Sequence, residues 1–257
     1  MERITSRQNP LMTRVRKITS SRSFRRREGE FLCDGVKLLE EALKWHAPLS
    51  VVIGSEGVRL PDLPEGVRRV EVPEDVMKSI SPMEAPQGVL MLCRMPEFAL
   101  PDPLEGTRYL VLDGVQDPGN VGTIWRTADA FGADGLILLG GCADPFNPKT
   151  VRAAMGAAFR LPVWEAGPDT LMERLGEAGI PLYATALRDD TVELGRISLD
   201  RCAVVIGSEG KGVSESVLEQ CMQTIKIPME HTCESLNAAM AAGVVLWEMY
   251  REQTSSP

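Results

Sequence analysis

The chain has 257 residues, 44% hydrophobic and 25% charged, a balance typical of globular proteins and enough for one large or two modest cores. No run approaches the roughly eighteen apolar residues that a membrane span requires, and the basic, polar start lacks a signal peptide's apolar stretch, so a cytoplasmic protein without a membrane partner is expected. Six cysteines (Cys33, Cys93, Cys142, Cys202, Cys221, Cys233) without a C-x-x-C pair, and only His46 and His231, imply reduced, mostly buried thiols and no metal, and disfavour a Ser-His-Asp or Cys-His catalyst.

Charge is unevenly spread. Residues 1–27 hold nine Arg/Lys against Glu2, a local +8 that leaves −16 on the rest of a chain whose net charge is −8. Arginines concentrated on an arm before an acidic body suit phosphate binding, and Arg7, Arg14, Arg16, Arg22, Arg25, Arg26 and Arg27 are the candidate RNA contacts. On charge alone a solvated terminus fits equally well.

Apolar residues at helical spacing (Val36, Leu39, Ala42, Leu43) predict a helix over residues 35–45, and the apolar run 49–53 predicts a buried strand. Residues 95–106, MPEFALPDPLEG, carry three prolines and little periodicity. They separate a small α/β domain, 1–96, from a second domain, 107–257, through a linker, 97–106. In the second domain strands are predicted at 109–112, 136–139, 182–186, 203–206 and 224–227, with helices over 121–131, 153–159, 171–177 and 214–221. That alternation predicts a mostly parallel sheet flanked by helices, with ligands at the carboxyl ends of the strands.

Three segments carry polar groups at such ends. In residues 113–132, DGVQDPGNVGTIWRTADAFG, Asn120 occupies the expected helix N-cap and Arg126 lies among Trp125, Ala128 and Phe131, company in which a cation has an assigned anion. In residues 204–215, VVIGSEGKGVSE, Gly207, Gly210 and Gly212 form a flexible loop whose acid is Glu209. Lys211 precedes Gly212 rather than a hydroxyl, so the loop is no P-loop, and without G-x-G-x-x-G a dinucleotide-dependent oxidoreductase is disfavoured. The same letters, VVIGSEG, at 51–57 lack the second glycine pair and following helix and read as a strand and turn. In residues 225–250 a strand ends at Pro228 and a long helix starts near Ser235, with Asn237 in its first turn. Leu236, Met240, Gly243, Trp247 and Tyr250 line one face, read mainly as core packing, with a subunit interface as a second use.

In order and spacing these segments resemble the three motifs of the SpoU (TrmH) family of RNA 2′-O-ribose methyltransferases, within the SPOUT class: N-x-G-x-x-x-R-x-A-x-x-F-G, I-G-S-E-G-x-G-x-S, and I-P-M followed by E-S-L-N. NPKTVRAAMGAAFRLPV, at 147–163, is similar to the family's intervening segment. The front, from ITSRQNP through EGEFLCDGVKLLEEAL to PQGVLML, is similar to the ribosomal-protein-like RNA-binding domain of rRNA-modifying members. The resemblance implies an α/β fold whose C-terminal parallel-sheet domain holds a deep trefoil knot, a cofactor pocket for S-adenosylmethionine, and a homodimer formed through the knotted region. It implies that Gly207, Ile227 and Leu236 bind the cofactor and that Asn120, Arg126, Glu209, Ser235 and Asn237 form the reaction centre. His231 and Ala154 depart from the family's usual residues.

The family's pattern makes Arg126 the group that relieves the ribose hydroxyl of its proton. A free guanidinium stays protonated well above neutrality, so two versions stand. Either Arg126 transiently takes the proton, or it holds phosphate and ribose while another acceptor or water does. The expected activity is 2′-O-methylation of 23S rRNA; tRNA as substrate, an antibiotic self-resistance role, and a non-catalytic ribosome-assembly factor are the alternatives.

Overall fold

The computed structural model describes residues 2–230 and 235–255, so His231 and Cys233 lie outside the described residues. The chain divides into two compact units, Met1–Pro96 with Asp144–Phe159, and Glu97–Ala143 with Arg160–Pro257.

The first unit begins with β1 (Glu2–Arg3), α1 (Pro10–Ser20), α2 (Arg22–Glu28), β2 (Glu30–Asp34), α3 (Val36–Lys44), β3 (Leu49–Ser55), β4 (Arg68–Val72), α4 (Glu74–Ile80) and β5 (Val89–Arg94). Its sheet has the order β1-β4-β3-β5-β2, parallel on the β1, β4 and β3 side and antiparallel where β5 meets β3 and β2. The first VVIGSEG is strand β3, as its context predicted.

The arginine-rich segment is helical, not a free arm. Asn9 accepts from Leu11 N at 2.9 Å with Pro10 in the first turn, a start legible as Asn-Pro. Leu11, Met12, Val15 and Ile18 form the inner face and pack with Ile53, Val70 and Leu90. Ser21 ends α1 and caps α2 by accepting from Phe24 N, and Gly29, at φ +65°, ends α2.

The outward arginines do not all remain available. Arg7 pairs with Asp75 at 2.8 Å, and Arg14 with Glu30 at 2.7 Å. Arg25 is 2% exposed: its Nε and Nη2 donate to Asp144 at 3.1 and 2.6 Å, and its Nη1 to Ile18 O at 2.6 Å. A guanidinium so used cannot reach a phosphate, which removes Arg25 from the RNA-contact set. Beside this pair Phe31 packs on Phe146, ring centres 4.6 Å apart, drawing residues 144–159 into the first unit.

After β5 the chain forms β6 (Arg108–Asp113), α5 (Pro118–Ala130) and β7 (Gly135–Leu138), then α6 (Pro148–Ala154) with a 3-10 turn (Met155–Phe159). The helix predicted at 153–159 therefore begins earlier, at Asn147-Pro148, and stops at Met155, whose φ is +53°. Ala154 is fully buried at its end. There follow β8 (Val163–Glu165), α7 (Pro168–Ala178), β9 (Leu182–Thr185), β10 (Val192–Glu193), β11 (Cys202–Gly207), α8 (Glu215–Leu218), β12 (Gln223–Lys226) and α9 (Ala238–Ser255).

The second unit's sheet is seven-stranded and parallel throughout, in the order β10-β12-β9-β11-β6-β7-β8. Near-continuous apolar strands such as β6 and β11 are buried along their length, as a parallel sheet requires. Strand β11 lies between β9 and β6, with Gly207 paired to Asp113 at the carboxyl edge, so the loops after β6 and β11 leave side by side.

Cys33, Cys93 and Cys202 are buried, and Cys142 and Cys221 half-buried. Burial pushes the Cys202 thiol up to about 12 and that of Cys142 up to about 11, which keeps both protonated near neutrality. Among the described residues no helix is long and apolar enough to cross a membrane.

The Arg25 and Asp144 side chains are 3% and 9% exposed. Arg25→Met strands the carboxylate and should lower the first unit's stability by about 3–5 kcal/mol in urea unfolding. Combining it with Asp144→Leu, which removes both charges, should recover part of that loss.

Candidate functional site

The site is assembled where the loops after β6, β9, β11 and β12 meet. Asp113, the last residue of β6, is nearly buried and accepts from Ser214 N at 2.7 Å, fixing the far end of the loop after β11. That loop is closed rather than flexible, a correction to the expectation from its glycines. Ser208 N donates to Gly212 O at 3.0 Å, Gly212 N donates back to Ser208 O at 2.9 Å, and Lys211 N donates to Ser208 Oγ at 3.2 Å. Two glycines are needed for this closure. Gly212 has φ +67°, and a Cβ on Gly207 would collide with the backbone of Gly212 and Val213.

Asn120 is not the helix N-cap. Asp117 is, accepting from Asn120 N at 3.0 Å with Pro118 next, so Asn120 stands in the first turn of α5 with its side chain free to act elsewhere. Asn237 is the residue that caps α9: its Oδ1 accepts from Ala239 N at 2.9 Å. Committing that oxygen to the helix turns Nδ2 outward, which settles the orientation of the amide.

The two amides meet one carboxylate. Glu209 Oε1 accepts from Asn120 Nδ2 at 2.6 Å and from Asn237 Nδ2 at 2.8 Å, and Asn237 Nδ2 also lies 3.3 Å from Asn120 Oδ1. Three of the five expected reaction-centre residues thus form one closed hydrogen-bonded ring. The fourth, Ser235, lines a cavity that also touches Glu209.

That cavity, about 340 Å³, holds Gly207, Ile227 and Leu236, the three residues expected to bind a cofactor. Its walls are mostly apolar, with Ile206, Ile225 and Met229 beside them. Thr185, the last residue of β9, and Ala186 and Leu187 after it line it as well and were not singled out in the sequence, although the carboxyl-end rule pointed to that strand end. Asp113 was likewise missed as a positioning residue; an acid ending a buried strand was its only signal. A second cavity, about 380 Å³, lies against the loop after β6 and shares Ser208 and Glu209 with the first.

Arg126 stands apart from the ring. It is exposed on α5, and among the described residues it makes no hydrogen bond or ion pair. Its buried neighbours Ile124 and Trp125 face inward, Trp125 Nε1 donating to Leu161 O at 3.0 Å.

The stripe on α9 also departs from the sequence reading. Met240, Val244, Trp247 and Tyr250, with Leu236 just before the helix, are exposed, Met240 at 63% and Trp247 at 50%, while Ala238, Ala242, Val245, Leu246 and Met249 face the core. The small residues take the packed face because α9 lies close against α5, where Gly243 meets Thr127. The half-buried Phe131 joins Trp247 and Tyr250 in an aromatic cluster, its ring centre 5.7 and 5.8 Å from theirs.

Residues 107–247 match the model of the SpoU rRNA Methylase family, and residues 3–91 that of an MRM3-like substrate binding domain. A 23S rRNA (guanosine(2553)-2′-O)-methyltransferase of Bacillus subtilis (strain 168) is 33% identical over 97% of this chain and 99% of its own. A 23S rRNA (uridine(2479)-2′-O)-methyltransferase of Streptomyces viridochromogenes is 33% identical over 98% of this chain and 93% of its own. Among solved structures, an AdoMet-bound rRNA methyltransferase from Sinorhizobium meliloti superposes with a TM-score of 0.86 at 32% identity, covering 97% of both chains.

Gly207→Ala should break the loop's closure and speed amide hydrogen exchange at Ser208 and Gly212. Asn237→Ala should cost about 1 kcal/mol through the lost cap and speed exchange at Ala239 and Met240.

Proposed function

This chain belongs to the SpoU rRNA Methylase family, and from that premise we propose that it transfers a methyl group from S-adenosylmethionine to a ribose 2′-hydroxyl of 23S rRNA. The observation that carries the reading is the cavity containing Gly207, Ile227 and Leu236, which opens onto the ring of Asn120, Glu209 and Asn237.

The residues present suit the cofactor. The cavity has the size and mainly apolar lining of a small-molecule site, and Gly207 leaves backbone, not side chain, at its wall. Gly207, Ile227 and Leu236 would hold S-adenosylmethionine, whose sulfonium supplies a methyl already activated for transfer. The chain's own part is alignment of the acceptor and removal of its proton. Glu209 Oε1 is occupied by the two amides, so its other oxygen is the one presented to a ribose hydroxyl, with Asn120 and Ser235 alongside.

For Arg126 the second version is preferred. An exposed guanidinium that makes no ion pair among the described residues is a poor base and a good phosphate ligand, so Arg126 holds substrate phosphate and ribose while Glu209 or water receives the proton. The first unit, through the exposed arginines Arg22, Arg26 and Arg27, supplies further phosphate contacts.

The finer architecture belongs to the same reading. A knot is supported by the return of the chain after β12 to the closed loop at 208–212, where Asn237 binds Glu209. A homodimer is supported by the exposed stripe Leu236, Met240, Val244, Trp247 and Tyr250, an apolar face that pairing would cover. A cytoplasmic location is part of the same proposal, supported by the bacterial 23S rRNA methyltransferases among the relatives.

The test is transfer of labelled methyl from S-adenosylmethionine to separated rRNA and tRNA from a strain lacking this gene, with the product mapped by resistance to alkaline cleavage. Label at one 23S rRNA site is expected, and Arg126→Ala should reduce the rate about 100-fold with cofactor binding intact. Label in tRNA alone overturns the substrate; cofactor binding without label in any RNA overturns the activity in favour of an assembly factor.

A further inference from the structure

Two cavities meet at Glu209, and the cofactor accounts for one. We propose that the second is the acceptor pocket, that it admits a single unpaired ribonucleotide, and that Lys211 and Gln116 hold that nucleotide by its phosphate and its base edge. This rests on the methyltransferase reading.

The position argues first. Ser208 and Glu209 line both cavities, so a group seated in the second meets the contents of the first across Glu209, as a methyl acceptor must. Asn120 lines the second cavity too, which puts two members of the hydrogen-bonded ring at its wall and leaves them facing a ribose.

Size argues next. A space of about 380 Å³ takes one nucleotide, whereas a paired nucleotide arrives with its partner and its stacked neighbours. The acceptor therefore leaves its helix or comes from a loop before it enters, as RNA-reading proteins commonly require.

The chemistry completes the assignment. Lys211 is exposed, and among the described residues its ammonium makes no ion pair, while its backbone is held by the bond from Lys211 N to Ser208 Oγ. A cation with a fixed root beside Glu209 fits a phosphate, which the neighbouring carboxylate would repel if unassisted. Gln116 lies exposed on the opposite loop, and among the described residues its amide has no side-chain hydrogen bond, so both donor and acceptor are open to a base edge. Two relatives of equal identity act on a guanosine and a uridine, which is what a base contact carried on a surface loop allows.

The experiment measures steady-state methylation of unmodified 23S rRNA by the full chain. Lys211→Ala and Gln116→Ala should each raise KM for the RNA about tenfold, with kcat and the Kd for S-adenosylmethionine within about twofold, and Lys211→Arg should restore KM. A DNA oligonucleotide annealed across the mapped site should abolish methylation. The proposal is overturned by an unchanged KM, by a parallel loss of cofactor binding, by failure of Lys211→Arg to restore KM, or by undiminished methylation of the hybrid. If wild-type protein binds the cofactor but methylates no RNA, the underlying reading fails and this proposal falls with it. An active wild type with an indifferent Lys211→Ala overturns the pocket alone.

Discussion

The structure of the site depends on one carboxylate oxygen. Glu209 Oε1 receives amide hydrogens from Asn120 and Asn237, residues separated by 117 positions, so three distant stretches of chain converge on it. Each partner is held from behind. Asp117 orients the first turn of α5, Asn237 is locked by its own capping bond, and Glu209 rides on a loop closed by two reciprocal bonds and anchored through Asp113. In the proposed reaction, a preorganised acceptor of this kind would align a substrate hydroxyl without reorganising when it arrives.

The fold places this carboxylate through strand order. Because β11 lies between β9 and β6, its loop emerges beside the loop after β6, and the two cavities form on either side of Glu209. Burial of nearly continuous apolar strands drives the sheet together; polar chemistry is confined to its carboxyl edge, where backbone ends leave groups unsatisfied.

Much of this was legible in the sequence because the signals were local. Apolar runs marked β6, β7, β9, β11 and β12, whereas the Asn-Pro and Asp-Pro pairs that start α1, α5 and α6 are equally local signals that the expected starts, Asn120 for α5 and residue 153 for α6, did not follow. Short edge strands such as β8 and β10 were not legible, since their residues are only partly buried and carry no sustained period. The errors came from tertiary packing. Periodicity identified the apolar stripe of α9 but could not tell that the alanine face beside it would pack inward and leave Met240 and Trp247 outside. Charge counting identified the arginines of residues 1–27 but not that Arg25 would be buried on Asp144, 119 positions away. Glycine content suggested looseness at 207–212, where the glycines in fact permit a backbone approach no side chain could share. Of the site residues, the motifs brought together Asn120, Glu209 and Asn237; Arg126 is the one the single chain leaves apart.

The most direct measurement is nucleoside mass spectrometry of 23S rRNA from cells with the gene, without it, and without it but carrying a Glu209→Ala copy. The account predicts that one 2′-O-methylated nucleoside disappears on deletion, returns with the wild-type gene and does not return with the Glu209→Ala copy. Persistence of every 2′-O-methyl group after deletion would contradict the activity, and full return with Glu209→Ala would contradict the place given to that carboxylate.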